Sequence, residues 1–140
     1  MRIAIIGFGR MGQRHLQAVR GLELEVAGVC DQSDDILATA GEEYGIPRDR
    51  RFTDPQELLK QTKPECVIVS TTAPSHCQLT CLAAQAGARY VLCEKPMATS
   101  IAECDRMIQA CSTNGTRLAI NHQMRFMPEC TEPKRIVQSP

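Results

Sequence analysis

The chain is 140 residues long, the size of one domain with a single core, and too short for a complete two-domain enzyme. Sixteen Lys and Arg balance sixteen Asp and Glu with no long run of one sign. That balance argues against a nucleic-acid or anionic-membrane surface and leaves small molecules as the expected partners.

Residues 2–6 are strand-forming and lead directly into Gly7-Phe8-Gly9-Arg10-Met11-Gly12, after which residues 13–22 read as a helix. In a strand, glycine turn, helix unit of this kind each glycine meets a separate need. Gly7 allows a tight turn, Gly9 lets backbone approach a pyrophosphate, and Gly12 lets helix lie close to strand. Residues 24–30 form a second apolar run, ending in Asp31, nineteen positions after Gly12. A carboxylate there suits the 2'-hydroxyl of a ribose.

Ser33 with Asp34 and Asp35 opens the next helix, which Gly45 and Pro47 stop. Residues 51–52 predict a very short strand, and Asp54-Pro55-Gln56-Glu57 predicts a capped helix start. Residues 66–70 show no alternation, as expected of a central parallel strand covered on both faces. After the Thr71 to His76 loop comes a helix with Leu79, Leu82, Ala83 and Ala86 on its apolar face, closed by Gly87. Residues 90–93 are the next strand, ending in Glu94-Lys95-Pro96. Ser100 and Glu103 form a capping box, and Ile101, Cys104, Ile108 and Cys111 are the expected buried stripe of a helix that Gly115 ends. Residues 118–120 are the last strand, leading to Asn121-His122.

Strands alternating with helices at this spacing predict an α/β fold, a doubly wound parallel sheet of the Rossmann kind. Its ligands bind beyond the carboxyl ends of the strands. The eight cysteines contain no C-x-x-C pair and fall largely in apolar patterns, so they read as reduced core thiols; no metal site is expected. With no secretory signal and no apolar run of 18 residues, the chain reads as soluble and cytoplasmic.

Glu94-Lys95-Pro96 after the fifth strand, downstream of the glycine turn, resembles the glucose-fructose oxidoreductase / inositol dehydrogenase / MocA family (Gfo/Idh/MocA). The resemblance extends through Pro74-Ser75-His76, the helix end at residues 83–87, and Asn121-His122-Gln123-Met124-Arg125-Phe126. It implies an NAD(P)-dependent oxidoreductase acting at a hydroxyl-bearing carbon of a sugar, inositol or related small molecule. NAD is the expected cofactor, from Asp31; NADP is the alternative, because Arg10 is near enough to turn toward a 2'-phosphate.

The resemblance places the cofactor against Gly7, Phe8, Gly9, Arg10, Met11 and Gly12, against Asp31, Thr71, Thr72, Pro74 and His76, and against Glu94 and Lys95; for His76, in the first turn of a helix, a satisfied structural role is the equal alternative. Lys95 is the expected catalytic residue, with His122 beside it by position. A lysine at this place pairs with Glu94 in the structural alternative. Residues 1–122 would be the dinucleotide-binding domain, and 123–140 the start of a connection to a missing α+β substrate domain, with a helix at residues 134–137. Such a chain is expected to bind cofactor without turning substrate over. It would also expose Phe126, Met127, Ile136 and Val137, a patch favouring homo-oligomers. The rival reading is a non-catalytic dinucleotide-binding or sensing module.

Overall fold

A computed structural model describes residues 1–137 of the chain. The elements follow in order as β1 (Arg2–Ile6), α1 (Arg10–Gly21), β2 (Glu25–Cys30), α2 (Asp34–Glu43), β3 (Arg51–Phe52), α3 (Pro55–Thr62) and β4 (Cys66–Val69). They continue as α4 (Ala73–Gln85), β5 (Tyr90–Glu94), α5 (Ile101–Thr113), β6 (Arg117–Asn121) and α6 (Pro128–Val137). Short 3-10 turns at Arg48–Arg50 and Gln123–Phe126 precede β3 and α6. The six strands form one parallel sheet in the order β3-β2-β1-β4-β5-β6. The doubly wound sheet expected from the sequence is therefore present, with β1 and β4 at its centre.

Strand residues alternate between two cores because successive side chains leave opposite faces of the sheet. Ile3 and Ile5 join Phe8, Leu16, Val19, Leu37 and Ile68, under α1 and α2. Ala4 and Ile6 join Leu58, Val67, Val69, Leu79, Ala83 and Met107, under α3, α4 and α5. β4 is buried at every position, which is why its sequence shows no polar alternation.

Three expectations need correction. The buried side of α5 is formed by Met107 and Cys111, with Cys104 half-buried, while Ile101 is 78% and Ile108 56% exposed. Both stripes share Cys104 and Cys111, and the packing against the neighbouring helix and sheet selects Met107 over its neighbour. Helix α4 buries His76, Cys77, Thr80 and Ala84 along with Leu79 and Ala83, leaving Leu82 half-buried and Ala86 exposed. It is wedged between the sheet and α5, so two of its faces are covered and no single stripe describes it. Lastly, α6 starts at Pro128, not at residue 134, with Pro133 inside it.

The caps mostly agree with the sequence. Ser33 Oγ accepts from Ile36 N at 3.3 Å, Asp54 Oδ1 from Gln56 N at 2.8 Å, and Ser100 Oγ from Glu103 N at 3.3 Å. The return bond of the last cap lands one residue early, since Glu103 Oε2 accepts from the backbone N–H of Thr99 at 3.0 Å and from its hydroxyl at 2.6 Å. Helix α6 adds no residue to either core. Phe126, Met127, Ile136 and Val137 are all exposed; residues 138–140, the end of the expected connection, lie outside the described residues.

Candidate functional site

At the centre of the sheet the chain leaves β1 toward one face and β4 toward the other. The carboxyl ends of these two strands therefore part and leave a crevice, the usual ligand position in a doubly wound sheet. A cleft of about 910 Å³ opens there, lined by Gly7, Gly9, Arg10, Met11, Asp31, Thr71, Thr72 and Pro74 among the expected residues. The sequence reading missed Gln32, Ser70, Ser75, Gln78 and the wall made by Thr53, Asp54, Pro55 and Gln56. Asp54 was legible only as a helix cap, although its place just after β3, beside β2, brings it to the same rim.

The three glycines differ in what they permit. Gly7 has φ +91°, and a Cβ there would stand 2.6 Å from Thr71 N, so the turn needs both its left-handed backbone and its missing side chain. A Cβ on Gly12 would collide with the carbonyl oxygen of Gly7. Gly9 has nothing within 4 Å of its Cβ position, so the space over it is open. Helix α1 begins at Arg10, inside the motif, and its first N–H groups face that space without an acidic side chain in the first turn. This is a cradle for an anion.

Phe8 serves the turn rather than the cleft surface. Its ring is fully buried, edge-on to Tyr44 at 6.4 Å, and its N–H donates to Asp31 Oδ2 at 2.7 Å. Asp31 Oδ1 accepts from Ser33 N at 3.0 Å. The carboxylate is thus fixed at the rim before any ligand arrives, with its remaining lone pairs available to hydroxyl donors.

The ends of β5 and β6 carry the remaining expected residues, Glu94, Lys95 and His122, none of which lines this cleft. Glu94 is 5% exposed; its Oε1 accepts from Asn121 Nδ2 at 2.7 Å and meets His15 Nε2 at 2.8 Å, while its Oε2 accepts from Lys95 N at 3.3 Å. Burial pushes this carboxyl up, but the hydrogen bonds from Asn121 and His15, the charge His15 can carry and the Lys95 N–H outweigh it and leave its pKa below normal. Among the described residues the exposed Lys95 ammonium makes no ion pair with Glu94. The Lys95–Pro96 bond is cis.

His76 is 1% exposed, with Nδ1 at 2.8 Å from Pro96 O and Nε2 at 3.1 Å from Thr71 O. It ties the loop after β4 to the loop after β5. Glu94 pairs with Asn121 across β5 and β6, so Lys95 and His122 leave adjacent strand ends side by side. His122 lines a second hollow of about 780 Å³ with Ile120, Met124, Arg125, Phe126 and Lys134.

A pH prediction follows from Glu94. A carboxyl whose folded pKa is depressed stabilises the fold fully above its unfolded value, here 4.5, and that contribution disappears as pH falls through the lower folded value. The melting temperature should fall below pH 4.5, and less steeply in Glu94→Gln; parallel profiles would contradict this.

All eight cysteines are free thiols. Burial, with the charges of Asp31 and Asp54, pushes Cys30 up to about 12, and burial alone takes Cys66 to about 11, so these thiols are inert. Among the described residues no group of three His, Cys, Asp or Glu could hold a metal, and no helix is long and apolar enough to cross a membrane.

Comparison with known proteins places these features in context. A family model described as an oxidoreductase family with an NAD-binding Rossmann fold, GFO_IDH_MocA, matches residues 1–122. D-apiose dehydrogenase of Paraburkholderia graminis is 36% identical over 126 residues, covering 89% of this chain and 33% of that protein. Inositol 2-dehydrogenase of Salmonella typhimurium is 30% identical over 142 residues, covering 99% of this chain and 42% of that protein. Among solved structures, the WlbA dehydrogenase of Bordetella pertussis in complex with NADH and UDP-GlcNAcA superimposes with a TM-score of 0.88 at 29% identity, covering 98% of this chain and 41% of that one. The chain thus spans about one third to two fifths of the length of these relatives.

Proposed function

We propose that this chain, which belongs to the Gfo/Idh/MocA oxidoreductase family, is the NAD(H)-binding part of a dehydrogenase acting at a hydroxyl-bearing carbon of a sugar, inositol or related polyol. One observation carries the reading: the open space over Gly9, the first N–H groups of α1 and the fixed Asp31 carboxylate share one cleft at the centre of the sheet. The family match and the dehydrogenase relatives support it. Residues 1–122 would be the cofactor domain, with residue 123 onward leading to a substrate domain.

When bound, the nicotinamide dinucleotide would supply hydride transfer. The backbone N–H groups from Arg10 onward hold pyrophosphate oxygens, and Asp31 accepts hydrogen bonds from ribose hydroxyls. Lys95 donates a hydrogen bond from its ammonium to the reacting hydroxyl oxygen or exchanges a proton with it, next to His122. An ammonium that Glu94 leaves unneutralised favours this role over a purely sensing module. The eight free thiols support a reducing, cytoplasmic setting. The exposed Phe126, Met127, Ile136 and Val137 support self-association through that face.

The test is a pair of titrations with NADH and NADPH. A 2'-phosphate near Asp31 meets like charge worth about 1 to 4 kcal/mol per pair at ~4 Å, and Asp54 adds a second carboxylate on the same rim. Among the described residues Arg10 is the one cation lining the cleft, against two carboxylates. NADH should therefore bind more tightly, by roughly tenfold or more. Equal affinities, or no binding of either, would refute the reading.

A further inference from the structure

We propose that His15 and Asn121 are positioning residues that act through Glu94 to hold Lys95 in place, an inference resting on the cofactor site assigned above. Glu94 is one of few buried charged side chains, and its carboxylate ties together three elements that the site needs in fixed relation. His15 lies on α1, the helix that carries the glycine turn; Glu94 ends β5, immediately before Lys95; Asn121 ends β6, immediately before His122. The bonds of 2.8 Å and 2.7 Å both converge on Oε1, and the other oxygen holds the backbone N–H of Lys95.

Two consequences make this more than a structural junction. The hydrogen bonds that offset the cost of burying this carboxylate come from three different elements, so they fix the relation between α1, β5 and β6 as well as stabilising the charge. With one oxygen accepting from two donors and the other from Lys95 N, Glu94 is oriented by its neighbours, and among the described residues it makes no ion pair with the Lys95 ammonium. The carboxylate therefore fixes the Lys95 backbone and leaves the side chain free for a ligand. Neither His15 nor Asn121 lines the cleft, so neither is expected to contact cofactor.

The chain has four lysines, Lys60, Lys63, Lys95 and Lys134, which makes Lys95 separable by labelling. One measurement is reductive 13C-methylation of the cofactor-free chain, following the Lys95 methyl resonance in wild type, His15→Leu, His15→Gln and Asn121→Leu. The second is acylation of the unmethylated proteins with and without saturating NADH, read by mass spectrometry. In wild type, Lys95 should show a resonance distinct from the other three and several-fold protection by NADH. Both leucine variants should shift that resonance toward the others and lose the protection while still binding NADH; His15→Gln, which keeps an amide donor, should retain part of both. Asn121→Leu, at the end of an edge strand, stands in if His15→Leu does not fold. A Lys95 resonance and protection unchanged in the leucine variants would overturn the positioning role. Failure of NADH to bind wild type would instead overturn the cofactor reading, with the resonance of the free protein still deciding the positioning.

Discussion

Gly9→Val should abolish the rise in melting temperature expected for the wild-type chain with NADH, while the free protein should lose only about 1 kcal/mol for placing a branched side chain at a helix N-cap. The reason is the open space over this residue: a Cβ at Gly9 meets nothing within 4 Å in the protein itself, so a branched side chain starts into the space that a bound pyrophosphate would need. In wild type, ligand at about 100 times Kd adds roughly 2.7 kcal/mol, a shift of several degrees for a domain of this size. Gly12 behaves in the opposite way, because its Cβ collides with the Gly7 carbonyl inside the turn. Gly12→Ala should therefore lower the melting temperature with or without NADH. Thermal scans of the two variants at several NADH concentrations decide the matter; an NADH-dependent shift persisting in Gly9→Val would remove the pyrophosphate from this cradle.

What the sequence made legible was whatever has a local signature. The glycine spacing, the uninterrupted apolar run of β4 and the acidic end of β2 are patterns over a few residues, and they located the sheet and the cleft. The α5 stripe was misread because Ile101, Cys104, Ile108 and Cys111 fit helical spacing as well as the stripe that contains Met107, and only the partner surface separates two overlapping stripes. Glu94 has no local signature either: its partners are 79 and 27 positions away, and nothing in a run of residues says that a histidine of the first helix will meet a carboxylate of the fifth strand. For His76 the sequence left two readings level, a cofactor-facing group and a satisfied structural one; its neighbours in sequence line the cleft, while the helical turn that begins at Ala73 turns its own ring to the Pro96 and Thr71 carbonyls. Polar groups that hold loops together are therefore found from structure, whereas Gly7, Gly9 and Asp31, which line the cleft, sit where turn chemistry announces them.

In any form of the protein that turns substrate over, Lys95→Met should lower kcat and kcat/KM together, by about 10² to 10⁴, with NADH affinity close to wild type. Its side chain is exposed just after β5 and pairs with no carboxylate among the described residues, so its removal should leave the fold and the pyrophosphate cradle intact. Methionine preserves the length and apolar stem of lysine without its donors, which confines the loss to the ammonium. Lys95→Arg separates two roles that methionine does not. A guanidinium keeps its charge and hydrogen-bond donors but holds its proton throughout the working pH range, and its planar fork reaches differently from an ammonium. If Lys95 only donates a hydrogen bond to the reacting oxygen, arginine should recover part of the rate, with a pH profile lacking the lysine limb. If Lys95 must exchange a proton, arginine should be as slow as methionine. Wild-type rates in Lys95→Met would return the residue to a strand-end surface group and move the search for the acid-base group to His122, its neighbour on the adjoining strand end.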